Sequence, residues 1–181
     1  MDDRKTATFS SPGKGHCTGF RIMPEHDGSR DFDPILGDWD FHLRRLTHPL
    51  TGSNDWTEFE GESHCRSIWG ERGQLDELSL KSVSDGSKME SLTLRLYNPK
   101  TDEWLLYFTG SANPGFGNPQ RGRFVDGRGE FLDRDVVNGQ KVIVRWLWTE
   151  LNSTSPHFEQ AFSTDEGKTW ETNWITSQTR R

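Results

Sequence analysis

A charged side chain that stands among apolar neighbours in an extended segment is the first candidate for holding an organic ligand. In the segment 141–149, Arg145 lies between valine and tryptophan side chains, and both faces of the segment are apolar enough to be covered. A covered arginine must find a partner or shift towards water, and its guanidinium group binds carboxylates and carbonyls well. Arg145 is therefore a candidate anchor for a ligand carboxylate or carbonyl.

The partner expected for Arg145 is Glu159 in the next extended segment. If the loop 150–156 pairs Thr149 with His157, Glu159 lies diagonally beside Arg145 and within side-chain reach. The pair then has two interpretations, a ligand anchor inside the protein or a structural ion pair on a solvated face. A shift of one residue in register would exchange the two faces of the strand.

Two more polar side chains interleave with apolar ones in neighbouring segments. Arg95 stands between two leucines, and Tyr107 stands between Leu106 and Phe108. Successive side chains of a strand point to opposite faces. An arginine and a tyrosine hydroxyl on adjacent strands can therefore orient a ligand oxygen. The alternative is that the leucines face the core and Arg95 faces water.

Aromatic side chains complete the candidate set. Trp174 shares a predicted face with Trp170, and Arg45 shares one with Trp39. Core packing is the default interpretation of these tryptophans, and stacking on a ligand ring is the alternative. The candidate ligand-binding residues are Arg45, Arg95, Tyr107, Arg145, Trp148, Glu159 and Trp174.

No combination of residues selects a catalytic or metal site, and the catalytic residues stay unassigned. The adjacent His64 and Cys65 point to opposite faces of their predicted strand, and no serine lies in a G-x-S-x-G turn. The histidine and cysteine spacings lack the patterns that hold metal ions, so we expect neither a metal nor a cofactor. The glycine-rich stretch 111–119 is predicted to be a loop at the rim of the fold and a candidate lid.

The elements that must position these side chains are predicted to be strands. After Asp31, runs rich in β-branched and aromatic residues alternate with clusters of Gly, Pro, Asn and Asp, which is typical of consecutive antiparallel strands. The predicted strands are 39–46, 57–68, 75–81, 90–97, 104–109, 122–125, 129–133, 141–149, 157–163 and 170–179. A short helical turn at 31–36, capped by Asp31 or Asp33, precedes them.

This order of elements predicts an all-β fold, a single antiparallel up-and-down β-barrel of about eight to ten strands. So many strands either close into a barrel or split into a sandwich, since an open sheet leaves two exposed edges. A barrel of this size has room for packed side chains and one small ligand. The segment 163–170 matches the Asp-box pattern S-x-D-x-G-x-T-W and is expected to hold a hairpin turn.

A resemblance to lipocalins rests on residues near the beginning and the end of the segment that is predicted to form the barrel. The motif Gly37-Asp38-Trp39 opens the first strand, where lipocalins carry G-x-W, and Arg180 can supply the basic side chain that packs on that tryptophan. With the stretches 32–39 and 92–99 and the segment TDEGKTWETNW, the chain resembles uncharacterised bacterial lipocalin-like, calycin-type proteins, which are domains of unknown function. The resemblance implies a barrel that holds a ligand. The haem-binding nitrobindins share this architecture and are an alternative, but the glycines that follow the tryptophan in their opening motif are missing here, which disfavours haem.

Composition and charge bound the domain and its partners. The length of 181 residues fits one hydrophobic core. The net charge of −6 disfavours nucleic acid as a partner, because its phosphates are also negative. We expect a loose leader at residues 1–30 and one barrel domain at residues 31–181. The sequence contains neither an apolar run long enough for a bilayer nor a signal segment. We therefore expect a cytoplasmic protein without a membrane partner, with Cys17 and Cys65 as free thiols, and a homodimer as its assembly.

Three functions are compatible with these features. The first is binding of a small, partly apolar organic molecule inside the barrel. The second is a metal-independent cyclase, isomerase or lyase that uses the same cavity. The third is a structural or oligomerisation domain, with the two-sided apolar segment 141–149 as its contact surface.

Overall fold

The alternation of apolar and polar side chains builds ten strands in the computed structural model, which describes residues 27–181. The strands are β1 (Gly37–Leu46), β2 (Trp56–Ile68), β3 (Gly73–Ser82), β4 (Lys88–Asn98), β5 (Glu103–Gly110), β6 (Gln120–Val125), β7 (Arg128–Val137), β8 (Gln140–Thr149), β9 (His157–Ser163) and β10 (Glu171–Arg180). Each strand pairs antiparallel with the next along the chain, and β10 pairs with β1, which closes the barrel. The predicted all-β, up-and-down barrel is confirmed, and the sandwich alternative is wrong.

The register between β8 and β9 is the one that the sequence predicts. Thr149 lies opposite His157. Trp146 and Trp148 point into the barrel, where they line its interior. Because side chains alternate along the strand, Arg145 points outward.

An irregularity in β10 changes which side chains face the interior near its start. The pairing with β9 shifts between Thr172 and Trp174, where one extra residue forms a β-bulge. Trp174 faces the interior together with Thr176. Trp170 packs outside, where its ring centroid lies 4.2 Å from the guanidinium carbon of Arg145. The prediction that Trp170 and Trp174 share a face is therefore wrong.

A 3-10 turn at Asp33–Ile35 covers one end of the barrel, here called the closed end. The residue at its cap position is Phe32, whose side chain makes no capping hydrogen bond. The prediction that Asp31 or Asp33 caps the turn is therefore wrong, and Asp33 forms an ion pair with Arg30 at 2.7 Å. Phe32 is fully buried, so burial of an aromatic ring holds the turn where a polar cap was expected.

The tryptophan of the G-x-W motif and the arginine near the C-terminus meet at the closed end. The guanidinium carbon of Arg180 lies 4.2 Å from the ring centroid of Trp39, as the resemblance implies. Arg180 also donates hydrogen bonds to the carbonyl oxygens of Leu36 at 2.9 Å and Pro34 at 2.6 Å. Trp39 donates from its indole nitrogen to the carbonyl oxygen of Ile35 at 2.8 Å. These contacts fasten the turn across the closed end.

Two groups of apolar side chains fill parts of the interior. The group at the closed end is centred on Phe32, whose ring centroid lies 5.1 Å from Trp104 and 5.6 Å from Phe131. A smaller group lies on β1, β2 and β3 towards the open end. Its members are Phe41, Leu43, Phe59, Leu78 and Leu80.

The Asp-box segment forms the hairpin turn between β9 and β10. The Asp165 carboxylate accepts hydrogen bonds from the backbone N–H of Thr169 at 2.9 Å, the Thr169 hydroxyl at 2.7 Å and the backbone N–H of Lys168 at 3.0 Å. These hydrogen bonds, those from Thr169 first, lower the pKa of Asp165 to about 2. The predicted structural role of this segment is confirmed.

The chain before the turn is described from residue 27. Residues 1–26, which make up most of the predicted leader and include Cys17, lie outside the described residues. The carbonyl oxygen of Gly28 accepts a hydrogen bond from the indole nitrogen of Trp104 at 2.9 Å. The division into leader and barrel domain stays a prediction. Within residues 27–181, no helix has the length and apolar character needed to span a membrane.

Candidate functional site

A cavity of about 160 Å³ lies inside the barrel where the two apolar groups meet. Aromatic rings from β5, β8, β9 and β10 form much of its wall, and they belong to Phe108, Trp146, Trp148, Phe158 and Trp174. Polar side chains from β3, β4 and β10 face the same space. They are Asp76, Thr93, Arg95 and Thr176. The interior thus combines an aromatic wall with a polar floor.

The floor is built around an ion pair between Arg95 and Asp76. The Arg95 Nη2 atom lies 2.7 Å from Asp76 Oδ2, and the exposed fractions of the two side chains are 2% and 8%. The register of β3 and β4 places Asp76 opposite Thr93, two residues from Arg95 on the same face. The Arg95 guanidinium carbon also lies 5.2 Å from the ring centroid of Phe32 and 5.4 Å from that of Trp148. Charge pairing and two aromatic faces therefore hold this arginine.

A buried thiol lies behind the ion pair. Arg95 Nη1 donates to Cys65 Sγ at 3.5 Å, and Cys65 Sγ donates to Gln74 Oε1 at 3.7 Å. Burial raises the pKa of Cys65 to about 12, although the Arg95 charge opposes the shift. Cys65 therefore stays a neutral thiol near neutral pH and lacks the thiolate character of a nucleophile. It is a free cysteine, as the sequence predicts.

Four residues that line this cavity each carry a buried polar atom without a hydrogen-bond partner in the described part of the protein. The atoms are Asp76 Oδ1, Arg95 Nε, Trp148 Nε1 and Thr176 Oγ1. All four residues are more than nine-tenths buried. An unpaired buried polar group costs about 1–3 kcal/mol of stability. No contact within residues 27–181 offsets this cost for the four atoms.

The aromatic wall separates the cavity from the open end of the barrel. The ring of Phe108 meets Trp146 and Trp174 edge to face, with centroid distances of 6.3 and 6.1 Å. The indole nitrogen of Trp146 donates to Gln160 Oε1 at 2.7 Å, which fixes its orientation. Phe108 is 38% exposed, so this ring is the more accessible part of the wall.

Beyond this wall lies a wider recess of about 640 Å³, here called the vestibule. Phe108, Trp146 and Gln160 border both spaces. Phe116 from the loop between β5 and β6 and Asp133 from β7 also line the vestibule. The glycine-rich loop therefore lies at the rim of the barrel as predicted, and its role as a lid stays a prediction.

Three of the seven sequence-predicted site residues line the cavity. Arg95 lies in the polar floor, and Trp148 and Trp174 lie in the aromatic wall. Arg95 faces the interior, so the alternative that it points to water is wrong. Ligand binding by these residues stays a prediction, but the structure brings all three to one space.

Two predicted site residues lie away from the cavity because of their positions on the barrel. Arg45 is exposed near the end of β1, where its guanidinium carbon is 5.6 Å from the ring centroid of Phe59. Arg45 lies on the same face of β1 as Trp39, as predicted. This end of β1 extends past the part of the interior that other side chains cover, so Arg45 is exposed. Tyr107 points outward and its ring centroid lies 5.9 Å from that of Phe116.

The predicted pair of Arg145 and Glu159 lies on the outer face of the barrel. Glu159 Oε1 is 2.9 Å from His157 Nε2, and the Arg145 guanidinium group lies over Trp170. The two side chains are on adjacent strands in the predicted register, yet each has another partner. The structure therefore does not bring them to the cavity, and it replaces the expected ligand anchor with two surface contacts.

Asp76 and Thr176 are not among the site residues predicted from the sequence. In β3, Asp76 shares a face with the buried residues Leu78 and Leu80, and a carboxylate on an apolar face was a signal that could have identified it. Thr176 lies two residues after Trp174 and beyond the β-bulge, so simple alternation from the predicted Trp174 could have identified its inward position. Within residues 27–181, no group of three or more His, Cys, Asp or Glu side chains is arranged to hold a metal ion.

The closed ten-stranded antiparallel barrel, with Arg180 packed on Trp39, is a lipocalin-like β-barrel. Solved structures that share this fold include those of two distantly related proteins. The crystal structure of Rv2717c from M. tuberculosis is 11% identical with a TM-score of 0.57, and the match covers 85% of this chain and 97% of that one. The S-type phycobiliprotein lyase CPES from Guillardia theta is 10% identical with a TM-score of 0.56, and covers 86% and 95%. No protein-family model matches the chain, and no curated protein matches it significantly in sequence.

Proposed function

We propose that this protein binds a small, partly apolar organic molecule in the barrel cavity. The observation that carries the proposal is that four residues lining one cavity with an aromatic wall each hold a buried polar atom without a partner within residues 27–181. Ligand sites are typically apolar and aromatic with a few polar groups that fix orientation. A cavity that served only as packing would not need polar atoms that lack protein partners.

The size of the cavity indicates how much of the ligand enters it. A cavity of about 150 Å³ in a protein core is large enough for a benzene ring, and this cavity measures about 160 Å³. One six-membered ring therefore fits between the wall and the floor. Any larger part of the molecule would extend past Phe108 into the vestibule, whose volume is about 640 Å³.

A second candidate function is a metal-independent isomerase, cyclase or lyase that uses the same cavity. The observation that favours it is Asp76, a carboxylate residue that lines the cavity and whose Oδ1 atom has no hydrogen-bond partner within residues 27–181, since a general base must lie within reach of its substrate. A protein of similar fold is a phycobiliprotein lyase. Turnover would depend on Asp76, whereas binding alone would need only its hydrogen bond.

The proposed function is tested first by native mass spectrometry of the protein as purified from its natural host. Retained mass that is lost on denaturation is the expected result. Binding to the ligand-depleted protein is then measured with 1-aminoanthracene, an uncharged fluorescent ring compound.

A matched pair of variants on β10 locates the binding. Thr176→Met fills the cavity, and Ser177→Met places the same side chain on the exposed outer face of the next position. We expect the first variant to lose fluorescence enhancement and the second to keep it. Equal binding by both folded variants would show that the molecule does not occupy the cavity.

Four further predictions accompany this proposal. They are a cytoplasmic location, a bacterial source, a homodimeric assembly and a leader at residues 1–30 before the barrel domain at residues 31–181. The outer face of β7 supports an interaction surface, because Leu132 and Val136 are 40% and 60% exposed there. Light scattering at high concentration tests the homodimer, and a monomer would contradict both the dimer and the alternative function as an oligomerisation domain.

A further inference from the structure

We infer that the buried end of the ligand is an uncharged, planar group with a hydrogen-bond donor and an acceptor on neighbouring atoms, as in a cyclic amide. This inference rests on the proposed function and specifies the class of molecule. It differs from the ligand carboxylate that the sequence led us to expect.

The charge balance of the floor excludes an ionic group. The positive charge of Arg95 is already matched by Asp76 at 2.7 Å. A bound carboxylate would place a second negative charge beside Asp76, and a bound ammonium would place a second positive charge beside Arg95. A buried charge without its own partner costs several kcal/mol, so the ligand group that fits this pair is neutral.

The unpartnered atoms of the residues around the cavity require both a donor and an acceptor from the ligand. Asp76 Oδ1 can only accept a hydrogen bond, whereas Arg95 Nε and Trp148 Nε1 can only donate one. Thr176 Oγ1 can do either. A hydrocarbon ring satisfies none of these atoms, and a ketone leaves Asp76 without a donor. An amide-like edge, with N–H and C=O side by side, satisfies both kinds.

The shape of the site indicates that this group belongs to a flat ring. The cavity holds about one six-membered ring. Trp148 and Phe158 meet with a centroid distance of 4.8 Å on one side of it, and Trp146 and Phe158 meet at 5.6 Å. A planar ring stacks well against such a wall.

The test uses three probes of the same ring size on the ligand-depleted protein. They are 2-pyridone, a neutral cyclic amide; benzoate, an anion; and toluene, a hydrocarbon. We expect 2-pyridone to bind at least about tenfold more tightly than either of the others, the ratio that one or two hydrogen bonds produce. NMR titration of the tryptophan indole N–H signals measures the affinities. The Trp148 signal, assigned with Trp148→Phe, is expected to show the downfield shift of a hydrogen-bonded N–H with 2-pyridone but not with toluene.

Substitution of Asp76 is expected to reverse the preference between the probes. In Asp76→Asn the Arg95 charge loses its partner, so benzoate should gain at least about tenfold in affinity relative to 2-pyridone. Glu77→Gln is the matched control, because Glu77 is the next carboxylate along β3 and is exposed on the outer face. It is expected to leave the ratio unchanged. If Asp76→Asn does not fold, Trp148→Phe supplies the second measurement, with weaker binding of 2-pyridone and unchanged binding of toluene.

The outcomes separate this inference from the proposed function. If none of the three rings binds, the proposed function fails together with the inference. If toluene or benzoate binds as tightly as 2-pyridone, the cavity is a binding site and only the amide-like ligand is wrong. An unchanged ratio in folded Asp76→Asn would also overturn the inference.

Discussion

The buried ion pair of Arg95 and Asp76 leads to opposite expectations for single and double substitutions. Arg95→Met keeps a side chain of similar length between the rings of Phe32 and Trp148 but leaves the Asp76 carboxylate buried without its cation. Loss of one partner of a buried ion pair costs about 3–5 kcal/mol. We expect Arg95→Met to lose about that much free energy of unfolding, roughly a fifth or more of the total for a typical domain.

The double variant Arg95→Met, Asp76→Leu is expected to be far more stable than the single one. It removes the unpaired carboxylate together with two atoms that have no protein partner, Asp76 Oδ1 and Arg95 Nε, each costing about 1–3 kcal/mol. Replacement of a buried ion pair by apolar side chains of similar volume is often neutral or stabilising. The double variant should therefore lie within about 1 kcal/mol of the original protein.

Urea unfolding followed by far-UV circular dichroism measures these free energies. Arg134→Met is the control, because its ion pair with Glu166 joins side chains that are each 70% exposed, and we expect little change there. The double variant should also lose its preference for 2-pyridone while it still binds toluene. A double variant at least as unstable as Arg95→Met would refute the reasoning, because the ion pair would then stabilise the fold by itself.

Three other predictions test the framework that surrounds the cavity. Arg180→Ala should lower the free energy of unfolding by about 2 kcal/mol in urea, since it removes a ring contact with Trp39 and two hydrogen bonds to carbonyls; an unchanged value would show that the turn is held by burial alone. The folded-state pKa of Asp165 is depressed from 3.8 to about 2, so its contribution is present above pH 3.8 and is lost as the pH falls to about 2. Acid titration should therefore show Asp165→Asn less stable than the original protein at pH 6 and the difference shrinking across that window, and a constant difference would contradict this. Gly122→Ala should destabilise the barrel by about 3 kcal/mol or prevent folding, because the new Cβ would overlap a backbone carbonyl of β7, whereas Gly117→Ala meets open space and should change stability by less than about 0.5 kcal/mol.

The strands and their closure were predictable because their causes are local. Each strand is a run of alternating side chains between turn-forming residues, and the number of such runs leaves closure as the arrangement without exposed edges. The contact between the first and last strands was also predictable, since the resemblance to lipocalins places Arg180 on Trp39, and β1 pairs with β10 at these residues. The register of β8 and β9 followed from the length of one loop.

The candidate site was only partly predictable, because depth in the barrel and pairing between distant strands are not local. Alternation placed Arg45 on the inner side of β1 but could not show that the strand runs beyond the covered interior. The inward position of Arg95 depends on its contact with Asp76 across the β3–β4 register. The bulge before Trp174 changes the alternation without an obvious sequence signal.

The placement of polar residues in the middle of this barrel lowers its stability and is consistent with the proposed binding function. Only 30% of the chain is hydrophobic, yet its apolar side chains collect at the closed end and along β1 to β3. At the level of the cavity, β3, β4 and β10 contribute Asp76, Arg95 and Thr176 where leucine or valine would pack. Such residues lower stability unless another group satisfies them. A ligand that supplies those hydrogen bonds would recover this loss only when bound, so the unfolding temperature should rise with ligand concentration, and should go on rising with its logarithm above the Kd.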